Sequence, residues 1–228
     1  MSTENTSDLF KVLIKKGNLK QQVYQNTFNA FELFKQSIRD LESEYHSASS
    51  KDPQAIPFTH QERGDFEAHL QFAGDVLIFM MHTNVFEFSR YHEVMKTAYI
   101  KEDEDRSYCG IINIYNFLAD SFRYNRVQDV GYLIGRIFVN KDMCYFVEGK
   151  REVGMLYNSF GKAKLDEGAV RIILESAILY TVNFDLLTPP YDSQKVVSLE
   201  EIKALFDSHT LKTGKRLGFR FQADEAGE

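Results

Sequence analysis

Residues 65–83 read DFEAHLQFAGDVLIFMMHT, and this stretch decides the fold class. Phe66, Ala68, Leu70 and Phe72 alternate with Glu67, His69 and Gln71, the period of a strand buried on one face. Val76–Thr83 is largely apolar, as expected of a strand covered on both faces. Gly74-Asp75 between the two runs predicts a two-residue hairpin turn, with glycine supplying the positive φ. A hairpin at the centre of the chain predicts an antiparallel or mixed sheet.

Upstream, Ser47–Gly64 reads as a linker, with a Ser-Ala-Ser-Ser run, Pro53 and Pro57. Before it, Leu19–His46 predicts the clearest helix. Tyr24, Thr27, Phe31, Phe34, Ile38, Leu41 and Tyr45 recur at steps of three and four, with polar residues such as Gln25, Glu32 and Arg39 opposite. An apolar stripe this broad needs cover, from the sheet or from a second copy. Tyr24, Phe31, Phe34, Ile38 and Leu41 are therefore the candidate partner-binding residues, and a symmetric homodimer is the favoured arrangement. Residues 1–18 read as a flexible or short helical segment, with a helix over Asp8–Lys16 ended by Gly17.

Downstream, Val85–Phe88 and Val94–Ile100 read as strands, and Lys101–Arg106 as a charged turn. Ser107–Tyr124 is long enough to predict a helix that turns Ile111, Ile112, Tyr115, Leu118, Ala119 and Phe122 inward. Gly131–Val139 and Met143–Glu148 predict two more strands. A helix over Glu167–Asn183 starts at an Asp166 cap, and Thr188-Pro189-Pro190 breaks the chain after it. Ser198 with Glu201 forms a capping box for a short helix to Phe206, followed by a charged tail. One domain over 19–190 is expected, with residues 191–228 as an appendix. The fold class is α+β, with a sheet of five or six strands packed against helices in the order α-βββ-α-ββ-α. In element order alone this outline resembles small sensor and adaptor domains and secretion-chaperone-like folds.

The 228 residues suffice for a core without a metal or disulfide staple. Aromatic residues depart from ordinary usage, with 19 Phe and 12 Tyr but no Trp, which implies thick packing layers or an apolar groove. The net charge of −6 argues against nucleic acid and against a basic membrane-facing surface. The polar start lacks the form of a signal peptide, and Val76–Met81 is far too short an apolar run to span a membrane. Cys109 and Cys144 stand alone, without ligand spacing or a nearby His base, and are expected to be packed thiols. A cytoplasmic location is expected.

One constellation carries potential chemistry. A turn at Gly74-Asp75 sets Glu67 opposite His82 and His69 diagonal to it, a two-His-one-carboxylate set or an acid–base pair. The plain alternative is a hydrogen-bonded polar patch, and a register slip dissolves the geometry. Lys212-Thr213-Gly214-Lys215-Arg216, with Arg220, lacks the spaced glycines of a phosphate loop and reads as a solvated tail. Glu102–Asp105 lacks the spacing of a calcium loop. No catalytic motif is present, and no cofactor is expected. The leading expectation is a non-catalytic interaction module, an adaptor or chaperone-like protein whose partner is a protein or a second copy. A ligand-sensing domain with a Phe/Tyr-lined pocket for a small apolar molecule comes next, and a metal protein or enzyme on Glu67, His69 and His82 third.

Overall fold

A computed structural model describes residues 3–149, 160–185, 188 and 190–208. The tail Leu211–Phe221, with the basic residues Lys212–Arg220, lies outside the described residues.

Helix α1 runs unbroken over Thr3–Ser49, so the expected stop at Gly17 is not used. A glycine ends a helix when it turns into the left-handed region. Gly17 does not take a positive φ, and no neighbouring group crowds it. Beyond it, Leu19 and Val23 are anchored on Tyr108 and Val85, which draws the helix on.

Seven strands form one antiparallel sheet: β1 (Phe58–Glu62), β2 (Glu67–Phe72), β3 (Asp75–Met81), β4 (Phe86–Glu87), β5 (Tyr108–Leu118), β6 (Tyr132–Asn140) and β7 (Tyr145–Gly149). The order is β1-β2-β3-β5-β6-β7, and two-residue β4 pairs with the start of β5. The expected α+β class is present, with seven strands in place of five or six. Strand β1 lies inside the stretch read as a linker. Its Phe58 is buried between Tyr45 of α1 and Phe72 of β2, at ring separations of 4.9 and 5.9 Å.

Residues 107–124 correct the sequence reading most. They form the central strand β5 and then a short helix α3 (Ala119–Arg123). Cover on both faces removes the period-two alternation that identifies a strand, so an apolar run of this length reads equally as a buried helix. Three isoleucines and three aromatic residues favour the extended form. The expected strand at 94–100 is instead a 3-10 turn, Glu93–Lys96, and helix α2 (Ala98–Glu102). Their starts are capped by His92 and Thr97, and Val94 and Ile100 are buried beneath.

Helices α1 and α4 (Glu167–Val182) cover one sheet face. Phe31, Phe34 and Ile38 are fully buried there with Leu70, Phe79 and Ile112, while Tyr24 and Leu41 are half-buried at the margin. The stripe expected to bind a partner is thus occupied by the chain's own sheet. Helix α4 begins where expected, Asp166 Oδ1 accepting from Ala169 N at 2.8 Å. Glu44 of α1 accepts two hydrogen bonds from Arg171 of α4, at 2.7 and 2.9 Å. Two short helices follow, α5 (Tyr191–Gln194) and α6 (Leu199–Ser208), and α6 carries the expected capping box between Ser198 and Glu201.

The second sheet face is covered only in part. The 93–107 segment packs Val94 and Ile100 on Cys109, Ile111, Phe138 and Phe146. Both cysteines are buried, and burial pushes the Cys109 thiol well above its ordinary value, consistent with a packing role. Over β2, β3 and the end of β5, this face is less fully covered among the described residues, with Phe122 of α3 against His69 and Phe117. No helix among the described residues is long and apolar enough to cross a membrane.

Candidate functional site

The less covered part of the second face holds a cleft of about 720 Å³, within the range of small-molecule sites. Strand alternation supplies its floor: Glu67 and His69 from β2, Ile78 and Met80 from β3, Tyr115 and Phe117 from β5. The turn of α3 raises Phe122 as a wall. Ser121 then donates to Asp129 at 2.6 Å and Arg126 to the same oxygen at 2.9 Å, which holds the following loop as a rim.

Two of the three expected site residues meet here. His69 Nε2 lies 2.6 Å from Glu67 Oε1. His82 does not join them. The hairpin turns on Ala73-Gly74, one residue earlier than expected, so Glu67 pairs with Met80 and His69 with Ile78. Ala73 takes a φ of 47°, unusual for a residue with a Cβ. Asp75 is drawn into the ladder opposite Phe72, and Asn116 donates to it at 3.1 Å. His82 falls beyond the end of β3, where its Nδ1 accepts from Asn84 N and its ring packs edge-on against Phe86. The metal-ligating triad is therefore not assembled. Among the described residues no cluster of three His, Cys, Asp or Glu side chains could hold a metal ion.

His69 is 6% exposed, which is low for a titratable side chain on an open cleft. Burial is the largest influence on it and lowers its pKa below 6.5; Arg63 acts in the same direction, while the bond to Glu67 opposes both. Below 6.5 the unfolded chain takes up a proton at His69 that the folded chain resists, so stability is lost as pH falls through that window. Urea midpoints are expected to drop between about pH 7.5 and about pH 5, and His69→Gln to remove part of that drop. An unchanged pH slope in the variant contradicts the assignment.

Comparison with family models, curated proteins and solved structures finds no match. Function must therefore be read from the surfaces themselves.

The other unusual surface was not anticipated. Leu9, Phe10, Val12, Leu13 and Ile14 of α1 are each 54 to 64% exposed. At 100° per residue they sweep about 200° of the helix circumference. Leu9 stacks in line with Leu13, and Phe10 with Ile14, one turn apart. Lys11 and Asp8 hold the polar side, joined at 3.0 Å. The signal was present as i, i+4 spacing but sat within a stretch read as a short helix ending at Gly17.

Proposed function

We propose that this chain is a non-catalytic protein-interaction module whose binding surface is the first turns of α1, and that the surface takes a second copy of the same chain. The observation that carries the reading is the row Leu9, Phe10, Val12, Leu13 and Ile14, all more than half exposed on adjacent helical turns. A contiguous apolar cluster left in water marks a contact surface, and its burial is favourable by about 25 cal/mol per Å².

Charge and order favour a second copy as the occupant. Residues 8–15 read Asp-Leu-Phe-Lys-Val-Leu-Ile-Lys. An antiparallel pairing about a two-fold axis between Lys11 and Val12 lays Leu9 against the other copy's Ile14 and Phe10 against its Leu13. The same axis brings Asp8 level with the other copy's Lys15 at both ends. In the single chain Asp8 bonds Lys11 and Lys15 stands 3.7 Å from Asp105. Exposed pairs of this kind contribute little, so exchanging them costs little. Two unpaired cysteines suit a reducing compartment, and we place the protein in the cytoplasm.

Sedimentation from about 1 to about 100 µM tests the reading, the range where small apolar interfaces associate. The native chain is expected to shift from monomer to dimer and Leu13→Asp to stay monomeric. Asp8→Lys should weaken the dimer and the added Lys15→Asp should restore it. A native chain that stays monomeric throughout overturns the proposal.

A further inference from the structure

We infer that the cleft over β2, β3 and β5 binds a small neutral aromatic molecule carrying one O–H or N–H donor, which the Nδ1 atom of His69 accepts. The inference is independent of the association through α1.

A carboxylate only accepts hydrogen bonds, so the contact of His69 Nε2 with Glu67 Oε1 places the ring proton on Nε2. Nδ1 is left as a lone-pair acceptor in the neutral ring, the form that burial also favours. Among the described residues Nδ1 has no hydrogen-bond partner. Nor is it sealed in: the buried side-chain polar atom found without a partner there is Thr181 Oγ1, on the other side of the sheet. The free nitrogen therefore meets the cleft that His69 lines.

The surroundings define the rest of the ligand. Phe122 stands edge-on to both His69 and Phe117, with centroids 5.6 and 5.7 Å apart, and lines the cleft with an aromatic wall suited to a ring-bearing ligand. Ile78 is buried, and Met80, next to last in β3, is 38% exposed and leaves apolar surface at the edge of the floor. Formal charge nearly cancels: Arg126 is paired with Asp129, and Glu67 faces the cleft together with Arg63. A charged ligand gains no net attraction there. An apolar molecule without a donor would cut Nδ1 off from water and leave it unsatisfied, which a site penalises by about tenfold or more in affinity.

The test pairs phenol with anisole and indole with 1-methylindole, each titrated at millimolar concentration into the full chain and followed by NMR. Phenol and indole are expected to shift the His69, Met80 and Phe122 signals, and their methylated partners to bind about tenfold more weakly or less. Saturating phenol should move the His69 Nδ1 nitrogen resonance from that of a free acceptor to that of a hydrogen-bonded one. In His69→Phe, phenol and anisole should bind alike. The nitrogen resonance keeps the test decisive if that variant fails to fold. Equal affinity within each pair for the native chain, an unmoved His69 nitrogen, or no perturbation by any of the four probes overturns the inference.

Discussion

Replacing Phe34 by alanine is expected to lower folding stability by about 3–5 kcal/mol, the range for emptying a buried aromatic site. Phe34 is fully buried on the inner side of α1 and stacks on Phe79 of β3, with centroids 5.7 Å apart. Its ring sits between helix and sheet, with Phe31 and Ile38 in the same layer. Neighbours held by a seven-stranded sheet cannot collapse into the void, so lost contact adds to lost burial. A domain of this kind has about 5–15 kcal/mol to lose, so the variant should stand near its unfolding threshold. Phe10→Ala is the control, since Phe10 is 54% exposed and should change the stability of the single chain by about 0.5 kcal/mol or less. Urea unfolding at low protein concentration measures both without interference from association. A cost below about 1 kcal/mol for Phe34→Ala contradicts the placement of α1 on the sheet.

Gly110→Ala is expected to cost about 3 kcal/mol, the upper end for overpacking. Gly110 lies in β5 directly beneath α1. A Cβ there would overlap Thr27 Oγ1 and come within 2.7 Å of Thr27 Cβ and Cγ2. Thr27 is fully buried, and its hydroxyl donates to Val23 O at 2.7 Å, so it has no free rotamer to retreat into. Thr27→Ala would not make room, because Cβ itself is in the way. Thr27→Gly would, at about 0.3–0.5 kcal/mol of helix propensity relative to threonine. Denaturation of both single variants and the double variant should show a favourable coupling of about 1 kcal/mol or more, because residues in contact are non-additive. Strict additivity would mean that helix and strand do not touch at this point.

The same contact explains why β5 was hard to read. A glycine inside an apolar run ordinarily weakens both helix and strand readings, and its reason here is a close approach by α1, which local sequence does not express. The β2–β3 hairpin was legible because Glu67, His69 and Gln71 keep the period of two along one face of β2. The starts of α4 and α6 were legible because their caps are local side-chain bonds, Asp166 to Ala169 and Ser198 with Glu201.

At the cleft, Glu67 and His69 share a face by alternation, and that much could be read from spacing two. His82 could not be ruled out in the same way. The turn is set by Ala73 in the left-handed region, a position where glycine or asparagine would have announced it. The aromatic side of the cleft, from Tyr115, Phe117 and Phe122, was out of reach for a different reason. These residues come together only once 107–124 is divided into a strand and a short helix.

Helix α1 has one more property, which is its reach. Forty-seven residues at 1.5 Å each give a rod of about 70 Å, while the six strands that lie side by side span only about 25 Å. The sheet occupies the rod from Leu19 onward, so the first turns act as a spar. Two copies joined near Lys11 and Val12 would carry their sheets as weights at opposite ends of a common axle, with centres about 65 Å apart. Such a particle would tumble as a dumbbell.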